Sequence, residues 1–586
     1  MLGVGVSMLF GTAGKEVAEE DFVSSEIYST PRNQTVVIGQ DDPGYKTNYD
    51  RANPFMPEGV QWASGWHQCA REYNWMWNLA TGEKVFLRIT GWEEHANYMG
   101  VTVHIRPGVK WNDGTPFTSK DWAFTIGLML DTDNAAIFGT KISDLIESIQ
   151  TPDDYTVVIN YKYPDPRAAQ TVTYGADIHI AAEHIWRDKD IETFANFPPV
   201  ETGPYRLKEV IPDREMYVWE RRDDYWGTEV LGIEFAPRYL IWVPNPAVDL
   251  VNEEYLQGNY DYAGGMNWDR YEALKQRTDD VVYSAPLGGA YGYQFNVANY
   301  PMSVPELRWA ISYAIDRETL LRLVPDRNTL LSAYPQLMLD EIYSFYKPFR
   351  PAADRAMARI TREFGYEYKR DVAKAQQMLD DLGFIDRDDD GIRETPDGTK
   401  LVFSLLARND QEHEFIYTDV LTENLAEIGI EVKARIVGGT TWHDVSKVGD
   451  FDIMVGGIYY YEEKTHEMLQ TWENYHSDYG ATPLGTASPA PAPQGRLRYC
   501  NEELDALIEE WRTLAPSNPR TEELTEECYY ILFRDLPTIA FTARRGITPF
   551  STKYWTGWPT WDNEWSTPKI GKGEFIITIA GLKPSR

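Results

Sequence analysis

The segment from residue 101 to residue 122, VTVHIRPGVKWNDGTPFTSKDW, joins an alternating strand, a turn and a capped helix in one unbroken run. Apolar and polar residues alternate from Val101 to Ile105, which is the period of a half-buried strand. Asn-Asp-Gly at 112–114 supplies turn chemistry. Thr118, followed three residues later by Asp121, has the spacing of a capping box, so a helix is predicted to begin there.

The rest of the chain repeats this mixture of strands and helices. Alternation predicts strands at 155–161, 206–210, 216–220, 400–406 and 430–437. Helical periodicity predicts helices at 305–323, 371–382, 415–428 and 502–513. The helix of 415–428 is expected to stop at Gly429, where a left-handed cap carries no Cβ penalty. Neither an all-α nor an all-β fold fits, so the predicted class is α/β, with mixed sheets flanked by helices.

The sequence of residues 101–122 resembles the signature of the bacterial family 5 extracellular solute-binding proteins. These are the oligopeptide-, dipeptide- and nickel-binding receptors of ABC importers. Five further segments resemble blocks of that family in the same chain order. They are ETGPYRLKEVIPDREMYVWERRDDYWG at 201–227, PELRWAISYAIDRETLL at 305–321, and residues 371–394, 420–457 and 500–537. The six segments span most of the chain between residues 95 and 540.

The resemblance implies a two-lobed fold like that of the periplasmic binding proteins, of type II and of the large cluster that carries an extra subdomain in the first lobe. The first lobe is expected at 31–297, with the extra subdomain at about 60–200, and a return to it at 538–586. The second lobe is expected at 298–537. Two strands would then cross between the lobes, and the resemblance implies a hinged cleft that closes around a ligand.

Composition limits the partners that such a chain can bind. Its 586 residues predict two or three domains. Its 56 basic and 90 acidic residues give a formal charge of -34. Phosphate backbones and anionic lipids require cationic surface, so no nucleic-acid partner is expected. Three scattered cysteines, Cys69, Cys500 and Cys528, are too few for a disulfide framework or a Cys-based zinc site.

No run of the roughly 18–20 apolar residues that spans a bilayer occurs in the sequence. Residues 1–30 are predicted to form a flexible leader. Met1 to Ala13 resembles the end of an export signal but lacks a positively charged start, as a truncated signal would. The expected location is extracytoplasmic, in the periplasm or at the cell surface.

Aromatic residues are unusually frequent, with 20 Trp, 37 Tyr and 22 Phe. Rings that expose one flat face suit stacking on sugars or on apolar peptide side chains, and core packing is the alternative for any single ring. The residues predicted to contact a ligand are Trp62, Trp66, Trp75, Trp77, Tyr293, Asn296, Trp442, Tyr459, Tyr461 and Glu462.

The resemblance also bears on the class of ligand. Peptide-binding relatives offer an aspartate to the peptide's terminal ammonium in the region after Gly456-Gly457. Tyr461 stands at that place here, and Glu462 or Glu463 could supply the carboxylate. An oligopeptide is therefore the expected ligand, and an oligosaccharide, which the aromatic excess favours, is the alternative.

One acidic segment has the spacing of a cation loop. Asp386, Asp388 and Asp390 alternate before Gly391, as in the first half of a calcium loop. The twelfth position is Asp397 and not the bidentate glutamate of such loops. A structural calcium ion and a solvated acidic turn are both open, and no cofactor is required by either.

Catalytic motifs are absent from the sequence: it contains no nucleophile elbow, zinc helix, Walker A loop or dinucleotide fingerprint. A glycosidase carboxylate pair is the remote enzyme alternative, since that pair is defined only in space. The predicted activity is therefore non-enzymatic. The protein is expected to be a monomer that captures a solute and presents it to an ABC permease with its cytoplasmic ATPases.

Overall fold

The structure is a computed structural model, and it describes residues 32–40, 49–55, 64–78, 80–131, 143–174, 178–285, 287–324, 330–335, 349–458, 468–488, 493–566, 568 and 570–585. The predicted leader at 1–30 lies outside the described residues. Among the helices that are described, none is both long and apolar enough to cross a membrane.

Strands occur throughout the described residues. Up to residue 285 they are β1 (Thr35–Gln40), β2 (Trp75–Asn78), β3 (Glu83–Phe86), β4 (Ile89–Glu94), β5 (Gly100–Ile105), β6 (Ile146–Asp153), β7 (Thr156–Tyr161), β8 (Tyr205–Ile211), β9 (Met216–Arg221), β10 (Tyr239–Pro244) and β11 (Val281–Ser284). After residue 285 they are β12 (Leu287–Phe295), β13 (Leu330–Leu331), β14 (Val402–Arg408), β15 (Glu431–Val437), β16 (Ile453–Ile458), β17 (Thr538–Arg545), β18 (Thr548–Ser551), β19 (Trp555–Thr556) and β20 (Lys583–Pro584).

The α-helices alternate with these strands. Up to residue 285 they are α1 (Ser119–Asp131), α2 (Ala168–Thr173), α3 (Glu183–Trp186), α4 (Trp226–Leu231), α5 (Val251–Gln257) and α6 (Trp268–Lys275). After residue 285 they are α7 (Pro305–Ala314), α8 (Arg317–Leu323), α9 (Arg350–Phe364), α10 (Val372–Asp381), α11 (Glu412–Ala426), α12 (Gly439–Val448), α13 (Leu469–Glu473), α14 (Ser477–Gly480), α15 (Glu502–Arg512), α16 (Arg520–Asp535) and α17 (Phe575–Ala580). A π-helical turn spans Trp66–Ala70.

Two large clusters of buried apolar side chains define two lobes. The first-lobe core draws on residues between Val36 and Tyr262 and again between Phe550 and Leu582. The second-lobe core draws on residues between Tyr293 and Phe541. The two-lobed α/β fold that the sequence predicted is therefore confirmed.

The first lobe contains two four-stranded sheets. One has the order β1-β10-β9-β8, with β1 parallel to β10 and the other pairs antiparallel. The other, β4-β5-β7-β6, is antiparallel and forms the extra subdomain, with α1 packed on β6 and β7. Val101, Val103 and Ile105 of β5 are buried, as their alternation predicted. The Asp121 carboxylate accepts a hydrogen bond from the Thr118 backbone N–H at 2.8 Å, which confirms the capping box.

The second lobe is built on one six-stranded sheet of order β13-β17-β12-β16-β14-β15. Strands β15 and β16 run parallel to β14, and β12 runs antiparallel to β16. The predicted stop between a helix and a strand is confirmed, because α11 ends at Ala426, Gly429 has φ 78° and β15 begins at Glu431. The chain therefore places α11 between two parallel neighbours of this sheet.

The chain crosses between the lobes as a two-stranded ribbon. β11 pairs with β18 up to Ser284↔Thr548, and β12 pairs with β17 from Leu287↔Arg545 onward. Among the described residues, the ladder is thus interrupted at Ala285 and at 546–547. The sequence placed the lobe boundaries at 297 and 538, at the ends of β12 and β17 that are remote from the crossing. Both strands belong instead to the second-lobe sheet, because β12 is hydrogen-bonded to β16 and to β17.

A close approach of two backbones inside the first lobe predicts a contrast between two glycines. Gly203 N–H donates to the Ala70 carbonyl at 2.9 Å, and a Cβ at Gly203 would lie 2.2 Å from that oxygen. Gly203→Ala should therefore lower the free energy of unfolding by about 1–3 kcal/mol. Gly127→Ala in α1, where a Cβ meets open space, should raise it by about 0.5–1 kcal/mol. Urea denaturation of both variants measures this, and equal stability of Gly203→Ala and wild type would contradict the described packing.

Candidate functional site

One edge of the second-lobe sheet faces the first lobe. β12 enters the sheet from the crossing at Ala285, and near its start Ala290 pairs with Ile458, the last residue of β16. β14 and β15 run in the same direction as β16, so they end on the same side, at Arg408 and Val437. Ligands of open α/β sheets bind outside the carboxyl ends of the strands, so this edge is the candidate binding surface of the second lobe.

The first lobe turns the carboxyl ends of its own parallel strands toward the same crossing. Hydrogen bonds of Ser551 N–H and of the Tyr255 hydroxyl align β18 antiparallel to residues 261–263. Tyr262 in turn forms a parallel bridge with Ile38 of β1. Because β18 starts at the crossing, β1 and its parallel neighbour β10 end on the side that faces the second lobe. The two carboxyl edges therefore oppose each other and form the candidate cleft.

Small and polar groups occupy the first-lobe side of this cleft. Asn245 follows β10, and its side-chain oxygen accepts a hydrogen bond from Gly264 N–H at 2.8 Å. Gly39 of β1 donates its N–H to the Tyr262 carbonyl at 2.8 Å. A Cβ at Gly39 would lie 2.3 Å from the Asn245 side-chain oxygen. Glycine at 39 thus leaves space for the Asn245 amide at the end of the sheet.

Charged groups occupy the second-lobe side. Arg408, the last residue of β14, binds Asp410 through two parallel hydrogen bonds of 2.8 and 2.7 Å. Its backbone N–H donates to the Glu414 carboxylate at 2.7 Å. Glu414 is 1% exposed, and burial raises its pKa to about 7. The Asp410 side chain is 47% exposed and is therefore accessible to a ligand in the cleft.

Aromatic rings pack behind these charges. The His413 ring meets Tyr291 edge-on at 4.4 Å between centroids. Trp442 of α12 lies against β16, where a Cβ at Gly456 would come within 3.2 Å of its ring. The Arg496 guanidinium covers that ring at 5.3 Å. Trp442 is consequently 4% exposed, although it lies at the carboxyl edge of the second-lobe sheet.

Comparison with known proteins identifies the family that shares this arrangement. The family model of the bacterial extracellular solute-binding proteins, family 5 Middle, matches residues 88–479. The chain belongs to this family. The oligopeptide-binding protein AppA of Bacillus subtilis (strain 168) is 27% identical to this family 5 protein over 445 residues, which cover 74% of each chain.

Solved structures share the fold over nearly the whole chain. The periplasmic oligopeptide-binding protein of Thermotoga maritima superposes with a TM-score of 0.79 at 20% identity, covering 95% of this chain and 100% of that chain. The mannohexaose-bound crystal structure of the Thermotoga maritima protein superposes with a TM-score of 0.72 at the same identity and the same coverage. The family 5 fold that the sequence resemblance implied is confirmed.

Three of the tryptophans that were predicted to contact a ligand lie in the interior of the family 5 protein. Trp75 is fully buried and packs on Trp77 at 5.5 Å and on Trp92 at 5.4 Å. The Lys84 ammonium lies 4.6–5.2 Å from the centroids of these three rings. Trp66 is 2% exposed. The prediction that Trp66, Trp75 and Trp77 expose a ring face is therefore wrong in this structure, because none of the three is more than 9% exposed.

Tyr293 and Asn296 are likewise interior residues. Tyr293 is fully buried, and its hydroxyl donates to the Tyr417 carbonyl at 2.7 Å. Asn296 follows β12 at the end remote from the crossing, and its side-chain N–H donates to the Gly449 carbonyl at 2.8 Å. Both side chains stabilise the second lobe, so the prediction that they contact a ligand is corrected to a packing role in this structure.

Four of the predicted contact residues, Trp62, Tyr459, Tyr461 and Glu462, lie outside the described residues, as does Glu463, and they remain predictions. Sequence reasoning missed Asp410, Glu414 and Asn245. Each of the three follows a strand that ends at the cleft. The rule that ligands bind at the carboxyl ends of parallel strands, applied to the strand predicted at 400–406, was the signal that could have found Asp410 and Glu414.

Trp66 belongs to a buried charged network below the first-lobe sheet. Its indole N–H donates to Glu201 at 3.1 Å, and the Trp226 indole donates to Glu72 at 3.0 Å. The Tyr225 hydroxyl also donates to Glu72. Arg88 is fully buried close to both carboxyls, and none of its guanidinium nitrogens has a hydrogen-bond partner among the described residues. Burial raises the pKa of Glu72 to about 7 and that of Glu201 to about 8.

These raised pKa values predict how stability depends on pH. An unfolded glutamate titrates near pH 4.3, whereas folded Glu201 keeps its proton to about pH 8. Between these values the folded state binds more protons, so stability should fall as pH rises, by up to about 1.4 kcal/mol per pH unit for each such carboxyl. Glu201→Gln should flatten this slope, and the exposed Glu229→Gln should leave it unchanged. Urea unfolding between pH 5 and 9 provides the measurement, and an unchanged slope in Glu201→Gln would refute the assignment.

The acidic loop predicted to bind a cation is closed by an internal cation. Carboxylate oxygens of Asp386, Asp388, Asp390 and Glu394 lie within 4.8 Å of one another. The Lys400 ammonium contacts Asp388 at 2.9 Å and also binds Asp390. The carboxylates fit calcium by chemistry, but Lys400 already supplies positive charge to two of them.

The competition between Lys400 and calcium can be measured. We expect calcium to change the melting temperature of chelator-treated wild type by less than about 2 °C, because the Lys400 ammonium competes with calcium for Asp388 and Asp390. Lys400→Ala should increase that shift, since Asp388 and Asp390 then lose their ammonium partner. Differential scanning calorimetry with and without calcium checks both variants. A large shift already in wild type would instead establish the structural calcium site.

Proposed function

We propose that this family 5 protein is the substrate-binding component of an ABC importer. It captures a solute outside the cytoplasm, in the cleft between the two carboxyl edges, and presents it to a membrane permease that is driven by cytoplasmic ATPases. It acts as a monomer, without catalysis and without a required cofactor. Family membership supports this role, and so does the two-stranded crossing, which permits one lobe to rotate against the other.

An oligopeptide is the proposed solute. The observation that carries this proposal is the set of charged groups at the second-lobe edge, where Arg408 and the accessible carboxylate of Asp410 face the cleft. A peptide brings an ammonium at one end and a carboxylate at the other, and charge-assisted hydrogen bonds to such groups are strong. The name of AppA, an oligopeptide-binding protein, agrees with this class.

The aromatic excess no longer favours an oligosaccharide by itself. Twelve of the 20 tryptophans have side chains less than 2% exposed, so they serve the two cores. An oligosaccharide stays the alternative because Trp442 lies at the edge of the cleft and because the Thermotoga maritima protein was crystallised with mannohexaose.

Binding measurements separate the two solute classes. Mass spectrometry of the denatured protein identifies any co-purified molecule, and calorimetric titration then compares a synthetic peptide, its N-acetylated form and mannohexaose. We expect the free peptide to bind and acetylation to weaken binding at least tenfold, because an ammonium is lost. Binding of mannohexaose alone would replace the peptide proposal with the oligosaccharide one.

Two matched variants test the position of the site. Asp410→Asn removes a charge at the carboxyl edge and should weaken peptide binding about tenfold, since a hydrogen bond to a charged group contributes about 1.5–3 kcal/mol. Glu427→Gln removes a carboxylate that binds Arg370 at the opposite edge of the same sheet and should leave affinity unchanged. Calorimetric titration checks both. Equal affinities of Asp410→Asn and wild type would place the site elsewhere.

A further inference from the structure

The guanidinium of Arg167 reaches from the extra subdomain to the second lobe. Its Nη1 atom donates to the carbonyl oxygens of Arg512 at 3.2 Å and Leu514 at 2.9 Å. Ala168, the neighbour of Arg167, belongs to the first-lobe core, whereas Trp511, the neighbour of Arg512, belongs to the second-lobe core. These hydrogen bonds therefore join the two lobes at a place separate from the two-stranded crossing.

The acceptors are suited to a cation. Arg512 is the last residue of α15, and the carbonyls of a final helical turn lack partners within the helix. The helix dipole places partial negative charge at that end, so a guanidinium there is favourable. Arg167 is 8% exposed, which shields the hydrogen bonds from competing water and from salt.

The donor is held in place by its own subdomain. The Asp165 side chain accepts hydrogen bonds from the backbone N–H groups of Arg167 and Ala168, at 2.8 and 3.1 Å. Ala168 begins α2, which packs on β5 of the extra subdomain. Arg167 therefore projects from a fixed backbone and not from a free loop.

We propose that Arg167 is a positioning residue for ligand capture: it clasps the carboxyl end of α15 and thereby stabilises the arrangement in which the two lobes approach each other. The clasp makes no contact with the solute. It raises affinity by increasing the fraction of ligand-free protein that is already competent to bind, because apparent affinity scales with that fraction. This role rests on the proposed function, in which the cleft between the lobes holds the solute.

The geometry of the crossing explains why a single side chain can affect the relative position of the two lobes. Rotation of the second lobe about the interrupted ladder at Ala285 and 546–547 leaves both lobe cores intact. The same rotation changes the distance from Arg167 to α15, because the donor belongs to the first lobe and the acceptors to the second. A hydrogen bond that exists in one arrangement and not in the other shifts the balance between them.

Two variants of the full chain test the clasp, with one control. Arg167→Ala removes both hydrogen bonds, and Arg167→Lys keeps the charge but not the planar donor group. Arg187→Ala is the matched control, since Arg187 is an exposed arginine of the same subdomain that pairs with Glu183 of the adjoining helix α3. Fluorescence energy transfer is measured between Cys500, the exposed thiol of the second lobe, and a cysteine introduced as Lys120→Cys in the extra subdomain.

In the ligand-free protein we expect Arg167→Ala to lower transfer efficiency, with Arg167→Lys between it and wild type and Arg187→Ala unchanged. The dissociation constant for the synthetic peptide or mannohexaose, whichever binds wild type, should rise about tenfold in Arg167→Ala. An unchanged far-ultraviolet circular dichroism spectrum of the full chain shows that the effect is not loss of folding. Unchanged transfer efficiency and affinity in Arg167→Ala would overturn the proposal. If neither probe binds wild type, the proposed function fails, while the transfer efficiency still decides whether Arg167 holds the lobes together.

Discussion

The continuity of the backbone across the two lobes is the constraint on which the rest of the structure depends. The chain leaves the first lobe along β11 and returns along β18, and these strands pair with each other. On the other side β12 and β17 pair with each other inside the second-lobe sheet. Bending where the ladder is interrupted changes the relative position of the lobes and leaves the strand pairing on each side intact.

That constraint also fixes where a ligand can be held. Because β12 enters the second-lobe sheet at the end where β14, β15 and β16 finish, the carboxyl edge of this sheet has to face the crossing. In the first lobe, the parallel strands β1 and β10 likewise turn their carboxyl ends toward the crossing. Opposed carboxyl edges place backbone carbonyls, short loops and the side chains that follow each strand around one space. Arg408 and Asp410 lie there because β14 ends there, and no special local sequence pattern is needed.

Local structure was predictable from the sequence where one residue type decides the backbone. Gly429 ended the helix, Asp121 capped α1, and the alternation in β5 set its buried face. Whether an aromatic ring is buried or exposed was not predictable in this way. A tryptophan has the same local pattern whether its second face meets a ligand or another ring, and only the tertiary structure shows that Trp92 and Lys84 cover Trp75. The sequence predicted the crossing near the correct strands. Its exact limits depend on which sheet β12 and β17 join, and hydrogen bonding between distant segments determines which sheet that is.

The distribution of the tryptophans has a mechanical consequence for the two lobes. Rings such as Trp219 and Trp309 fill the first-lobe and second-lobe cores and donate their indole N–H groups to backbone carbonyls at 2.7 and 3.0 Å. Densely packed interiors of this kind have low compressibility and transmit displacement instead of absorbing it. We therefore expect each lobe to move as a unit, with a change in their relative position confined to the few residues where the ladder is interrupted. A small free energy applied between the lobes, by a solute or by a side chain such as Arg167, can then shift the whole arrangement, because neither core has to be rebuilt to follow it.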